Sequence, residues 1–220
     1  MTRIALIHAT DVARVPAQAA FAEHWPAAEI VNLLDDSLTV DSEKGDSQMA
    51  SALKKRIAAL ADYALQAGAS GILYTCSSFG EAIDTVARAA SVPVLKPNEA
   101  MFRAALGLGK RFGMLTTFEP AGSPMEREFY AMARQSGRAG TLDTYFVPNA
   151  LQALRAGDTA MHDRLTAEAA EQFRDRDAIL LAQFSNARAA AAISRAIDIP
   201  VLSSPASAVI ELKRTLDKRT

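Results

Sequence analysis

One half-domain is written twice in this chain, and its only cysteine stands in one copy at the point where the other has a glutamine. In the first copy Gly71-Ile72-Leu73-Tyr74-Thr75-Cys76-Ser77-Ser78 leads through a helical stretch to Val92-Pro93-Val94-Leu95. In the second, Ala178-Ile179-Leu180-Leu181-Ala182-Gln183-Phe184-Ser185 leads through a similar stretch to Ile199-Pro200-Val201-Leu202. Upstream, Arg3-Ile4-Ala5-Leu6-Ile7-His8-Ala9 matches Arg111-Phe112-Gly113-Met114-Leu115-Thr116-Thr117. Asp35-Asp36-Ser37-Leu38 is loosely echoed by Pro148-Asn149-Ala150-Leu151. Similar blocks in the same order at one long period mean duplicated supersecondary units, not a solenoid, whose periods are much shorter. If the halves are related by a pseudo-twofold axis, Cys76 and Gln183 face each other.

Short Ile-, Val- and Leu-rich runs alternate with Ala-rich segments of helical period, which predicts a mainly parallel sheet covered on both faces. The predicted strands are 4–8, 29–33, 71–75, 92–95, 112–116, 141–147, 178–182 and 199–202. The predicted helices are 16–24, 47–67, 79–90, 98–106, 123–137, 158–173, 187–196 and 206–213. The expected fold is therefore α/β, with two pseudo-symmetric Rossmann-like lobes. Residues 1–97 form the first lobe and residues 98–205 the second. Gly107-Leu108-Gly109-Lys110 and Gly137–Gly140 read as helix-ending turns. The first precedes a strand instead of following one, so it lacks the geometry of a dinucleotide-binding turn.

With 220 residues, half of them apolar and 22% charged, the chain can bury a sizeable core. A formal net charge of −1, no basic block and few aromatic residues argue against nucleic acid as a partner. No apolar stretch approaches the roughly 20 residues needed to span a bilayer, and no leader pattern precedes the first strand, so a cytoplasmic protein without membrane contact is expected. A single cysteine makes no internal disulfide, which fits a reducing compartment. Nothing in the sequence opposes a homo-oligomer.

Open parallel sheets bind ligands at the carboxyl ends of their strands. That rule selects the loops around His8, Asp35, Cys76, Lys96-Pro97-Asn98, Thr116-Thr117, Gln183-Phe184-Ser185 and Ser203-Ser204. Most are small and polar, which suits a small carboxylate or amide ligand. Cys76 ends an apolar strand and precedes two serines able to cap the next helix, and a thiol placed so gains thiolate character. The plainer reading is a packing cysteine, since free cysteine is among the most buried residue types. His8 could act as a general acid or base, or could merely bond neighbouring loops. Asp35 and Asp36 could orient a substrate ammonium or amide, or form a turn and helix cap. His24 and His162 read as surface residues, and Arg103, Arg111, Arg188 and the Lys54-Lys55-Arg56 run as solvated faces. Three scattered histidines and one cysteine give no metal-ligand spacing.

Tyr74-Thr75-Cys76-Ser77-Ser78-Phe79, the two-lobe repeat and the Leu33-Leu34-Asp35-Asp36-Ser37-Leu38 turn together resemble the aspartate/glutamate/hydantoin racemase superfamily, which also includes maleate isomerases and arylmalonate decarboxylases. The resemblance covers nearly the whole chain, and it implies that residues 206–220, the helix after Pro205, pack back on the first lobe, so that 1–97 plus 206–220 form one lobe and 98–205 the other. It implies two α/β lobes enclosing a site at their interface, with a cysteine from each lobe flanking the substrate's α-carbon and with neither metal nor cofactor. One thiolate abstracts the α-proton and the opposed thiol returns a proton to the other face. Donors after each cysteine hold the carboxylate and stabilise the enediolate. The resemblance thus makes Cys76 the first catalytic cysteine. Ser77, Ser78, Thr116, Thr117, Phe184, Ser185 and Asp35 become substrate-binding candidates for a small carboxylate.

Gln183 occupies the second cysteine's position, and a carboxamide has no acid or base behaviour near pH 7, though it donates hydrogen bonds. Three readings stay open. A racemase or epimerase would pass its second proton through His8, Asp35 or water. A cis–trans isomerase of unsaturated diacids would add Cys76 covalently to the double bond. An arylmalonate-type decarboxylase would use one cysteine to protonate the enediolate left by loss of carbon dioxide, although in that group the cysteine lies in the second lobe. A member that only binds its ligand is a further alternative from outside catalysis.

Overall fold

The computed structural model describes residues 1–42, 44 and 47–219. It divides into two units, Met1–Pro97 with Ala208–Thr220, and Asn98–Ser207. The first contains β1 (Arg3–His8), α1 (Arg14–His24), β2 (Glu29–Leu34), α2 (Ser37–Ser42), α3 (Ser47–Gln66), β3 (Gly71–Tyr74), α4 (Gly80–Ala89) and β4 (Val94–Leu95). The second contains α5 (Glu99–Leu108), β5 (Arg111–Thr116), α6 (Gly122–Gln135), β6 (Thr141–Phe146), α7 (Ala150–Arg155), α8 (Thr159–Ala170), β7 (Ala178–Leu181), α9 (Ala190–Ala196) and β8 (Val201–Ser203). The division falls within the last helix, α10 (Ser204–Asp217).

Each unit holds a four-stranded, all-parallel sheet of one topology, ordered β2-β1-β3-β4 and β6-β5-β7-β8. The duplication extends to the register. Ala5 pairs with Val31 and Ile72, and Gly113 pairs with Asp143 and Ile179. Asp35 N–H donates to His8 O at 3.0 Å, and Val147 N–H donates to Thr116 O at 2.7 Å. Central strands covered on both sides must be apolar where they are covered, and β3, β7 and the Ile4–Ile7 stretch of β1 are, with Arg3 and His8 standing at the two ends of β1.

Side-chain alternation sorts each strand onto two faces. In the second unit Ala178 and Leu180 of β7 join Phe112, Met114, Phe102 and Phe129 under α5 and α6, whereas Ile179 and Leu181 join Phe173, Ala170 and Ile193 under α8 and α9. In the first, Ala5, Ile7, Ile72 and Tyr74 pack against Leu53, Ile57, Ala61 and Ile83 of α3 and α4. A Cβ at Gly71 would lie 3.4 Å from both Leu212 Cδ2 and Leu216 Cδ1, so the C-terminal half of α10 packs on β3. Gly113 carries the sharpest packing constraint, because a Cβ there would stand 2.2 Å from Phe173 Cγ. Gly137 ends α6 with φ +64°, a left-handed conformation that glycine adopts at little cost.

Several expected boundaries move for physical reasons. The strands predicted over 92–95 and 199–202 contract to Val94–Leu95 and shift to Val201–Ser203. Pro93 and Pro200 have no N–H to donate, and only their carbonyls enter the ladders, accepting from Ile72 and Ile179 at 2.9 Å each. The helices predicted from Phe79 and Ala187 open instead as 3-10 turns, Ser77–Phe79 and Phe184–Ala189, before α4 and α9. The last helix begins earlier than predicted, at Ser204, with Pro205 in its first turn, where a missing N–H costs nothing. Two six-residue helices, α2 and α7, were not expected, and they follow β2 and β6 at the loosely echoed segments.

His162 is the clearest correction. It is fully buried rather than superficial, and its Nδ1 lies 2.8 Å from Asp163 Oδ1. Asp163 also accepts from Arg188 Nε at 2.8 Å, so Arg188 is not simply solvated. Arg56 likewise leaves the solvated run and bridges Asp35 and Asp41.

Candidate functional site

Cys76 lies two residues beyond β3, with φ −119° and ψ 126°, and caps the turn that becomes α4. Its thiol is free and half-buried, packing partly against the first unit's core while remaining reachable. Ser77 and Ser78 follow in the turn, Ser77 half-buried and Ser78 exposed. A single strand-end step therefore brings one polarisable thiol and two hydroxyls to the carboxyl edge of the sheet. No group of three or more His, Cys, Asp or Glu side chains able to hold a metal converges among the described residues.

His8 ends β1 beneath this loop and is fully buried. Its Nδ1 is 2.9 Å from Thr75 Oγ1 and its Nε2 is 3.0 Å from Asn32 Oδ1. An amide oxygen only accepts, so Nε2 carries a proton, and in the neutral ring Nδ1 accepts from the threonine hydroxyl, which also lies 3.3 Å from Ile7 O. Burial pushes the imidazole pKa below its ordinary value, against the opposing pull of the Asn32 bond. His8 is thus a neutral ring with both nitrogens engaged, and it must break one of these bonds to exchange a proton with a ligand.

Asp35 follows β2. Burial alone would raise its carboxyl, but bonds from Ser37 and Arg56 and the guanidinium charge outweigh that and hold it below the usual carboxylate range. Its Oδ1 accepts from Ser37 Oγ at 2.6 Å and its Oδ2 pairs with Arg56. This carboxylate already has a cation.

In the second unit Gln183 lies two residues beyond β7, with φ −114° and ψ 138°, and caps the turn that leads to α9. Its backbone conformation is that of Cys76. The Gln183 side-chain oxygen accepts from the Thr117 backbone N–H at 2.7 Å and lies 3.1 Å from Thr117 Oγ1 and 3.2 Å from Asn186 Nδ2. Thr117 Oγ1 lies 2.8 Å from Asn186 Oδ1, and Asn186 Nδ2 donates to Leu115 O at 3.3 Å. Thr116, Thr117, Phe184 and Ser185 are all buried. Asn186 went unnoticed in the sequence, although it stands three residues after Gln183 in the same polar strand-end loop.

A depression lies beside the strand-end loops in each unit. One of about 220 Å³ in the first unit includes Ser78, Phe79, Glu81 and Lys54. One of about 360 Å³ in the second unit includes Thr117, Phe118, Phe146, Asn149 and Arg155. No helix among the described residues is long and apolar enough to cross a membrane.

Comparison with solved structures finds the same fold in enzymes of low sequence identity. A glutamate racemase from Bacillus anthracis superposes with TM-score 0.71 at 16% identity, covering 99% of this chain and 82% of that one. An allantoin racemase from Klebsiella pneumoniae gives 0.72 at 18%, covering 100% and 89%. An unliganded arylmalonate decarboxylase gives 0.64 at 17%, covering 97% and 92%. Among curated proteins no sequence matches significantly. The family model described as Asp/Glu/Hydantoin racemase matches residues 9–212, a span that takes in the Cys76 and Gln183 loops alike, and this chain belongs to that family.

Proposed function

We propose that this protein is a cofactor-independent isomerase of a small carboxylate or hydantoin-like acid, with Cys76 as its acid–base group. The observation that carries the reading is the pairing of Cys76 and Gln183 at one backbone position in two copies of one fold, with only the former able to move a proton. The Cys76 thiolate takes the α-proton and becomes a thiol, and the electron pair passes to the carbonyl as an enediolate. Return of the proton from the same thiol restores the original configuration. Inversion requires a proton from water or from a displaced His8 on the other face. Exchange of the α-proton should therefore outrun inversion.

A second reading is favoured by the single thiol itself. In a decarboxylation the carbon–carbon bond to the departing carboxylate breaks, carbon dioxide leaves with no electrons of that bond, and the enediolate takes one proton from Cys76. One acid suffices there. The two readings separate by product. Purified protein is incubated with aspartate, glutamate, allantoin, hydantoins and arylmalonates, and optical rotation and carbon dioxide are followed. Loss of rotation abolished by Cys76→Ala supports the isomerase. Carbon dioxide release abolished by the same change moves the assignment to the lyase, and neither activity on any of these acids refutes both.

A further inference from the structure

The two copies differ most in what surrounds position 183. The geometry points to Thr117 and Asn186 as positioning residues that lock the Gln183 carboxamide with its NH2 group outward, so that an N–H of the amide donates to an anionic oxygen of the ligand, carboxylate or enediolate. This deepens the proposed function and rests on it only for the ligand class.

Two backbone groups fix the orientation. The Thr117 N–H can only donate, so the Gln183 atom 2.7 Å away is the oxygen and not the nitrogen. Leu115 O can only accept, so the Asn186 atom 3.3 Å from it is the nitrogen. Asn186 Oδ1 then needs a donor and takes the single Thr117 hydroxyl proton at 2.8 Å, and Asn186 Nδ2 is left to reinforce the Gln183 oxygen at 3.2 Å. Reversing the glutamine amide would set its NH2 against the Thr117 N–H and the Asn186 NH2 together. Among the described residues no group accepts from Gln183 Nε2, and the side chain is only half-buried.

The clamp exists only where the glutamine does. By register, Thr117 corresponds to Ala9 and Asn186 to Phe79, both buried and apolar beside Cys76. At the two positions equivalent to the clamp, the thiol copy has neither threonine nor asparagine. Donors preorganised before a ligand arrives are what stabilise developing oxyanion charge, because no reorientation is needed at that moment.

The test uses malonate as the probe and the whole chain with 15N-labelled glutamine side chains. The Gln183 NH2 signals are identified by their loss in Gln183→Met. In wild type they should shift on malonate binding, and Gln183→Met should weaken malonate by about tenfold to a hundredfold, as loss of a hydrogen bond to a charged group implies. Asn186→Ala should weaken malonate and blunt the shift without lowering the melting temperature enough to unfold the protein, and Thr117→Ser should behave as wild type. If Asn186→Ala does not fold, Thr117→Val gives the same reading, since it keeps the backbone N–H and removes only the hydroxyl. Malonate that fails to bind wild type, binds without moving the Gln183 signals, or binds Gln183→Met equally well overturns the proposal. Cys76→Ala serves as the separating control. It should keep the Gln183 shift while losing turnover, so a failed isomerase assignment and a failed donor assignment give different patterns.

Discussion

Cys76 and Gln183 leave their strands with backbone angles within about a dozen degrees of each other, yet the polar side chains around them are inverted. In the first copy the polar network lies under the strand ends, where His8 joins Thr75 and Asn32. The corresponding second-copy residues by register are Thr116, Ala182 and Thr144, and the Thr144 hydroxyl is buried with no hydrogen-bond partner among the described residues. In the second copy the network lies around the loop itself, built from Thr117, Asn186 and Gln183, and the first-copy counterparts of the clamp are apolar. Duplication therefore fixes where a side chain stands, and its neighbours decide what it can do. A neutral buried imidazole supports the thiol copy, and a rigid amide clamp supports the donor copy.

The largest effect expected from breaking this contrast is at the thiol. Cys76→Ala should lower α-proton exchange by about 10²- to 10⁴-fold, the usual worth of a positioned acid–base group, with the melting temperature nearly unchanged. Survival of exchange in that variant, followed by NMR in deuterium oxide, would show that another group carries the proton.

The two central strands offer a packing version of the same comparison. Ala5 and Gly113 occupy one register position, but only Gly113 faces a ring so close that a Cβ would overlap it. Gly113→Ala should cost about 1–3 kcal/mol through overpacking against Phe173. Ala5→Gly overlaps nothing and should stay below the upper end of that range, at about 1–2 kcal/mol in all, from backbone entropy together with the lost methyl burial. Equal losses in urea melts would mean that the copies pack alike after all.

His8 makes the contrast depend on pH. Its folded pKa is depressed by burial, so the unfolded chain takes up a proton first as pH falls below about 6.5. The stability contributed by the neutral ring is full above that pH and is lost as pH falls through the lowered folded value. His8→Asn should flatten this part of the stability profile between neutral and mildly acid pH, even if it is less stable throughout. A profile unchanged by the substitution would exclude His8 as its source. The smallest effect is expected at Arg56, whose pairs with Asp35 and Asp41 are partly solvated, so that Arg56→Ala should cost about 1 kcal/mol or less.

Most of the fold was legible because it rests on two strong periodic signals. β1, β3, β5 and β7 are short apolar runs separated by long amphipathic segments, and the V/I-P-V-L echoes tie the copies together. The six-residue helices α2 and α7 were hidden because two turns carry too little periodicity to separate from a loop. His162 was misplaced because its polar neighbours suggested solvent, whereas Asp163 and Arg188 satisfy those groups at the helix edge and leave the ring inside. At the candidate site the strand-end rule selected the Cys76, Thr117 and Gln183 loops without any contact information. It could not reveal that the Gln183 oxygen is tied down by Thr117 and Asn186, because hydrogen bonds across 66 residues of chain leave no local pattern.

The central claim is that only the Cys76 copy handles protons. It is tested most directly by comparing α-proton exchange with loss of optical rotation in deuterium oxide, on one accepted substrate, in wild type and Gln183→Cys. In wild type exchange should exceed inversion severalfold. In the variant a second thiol at the equivalent backbone position should bring inversion toward the exchange rate, provided its aim is sound, since about 1 Å of misplacement can cost 10²-fold. Equal rates of exchange and inversion in wild type would contradict the claim.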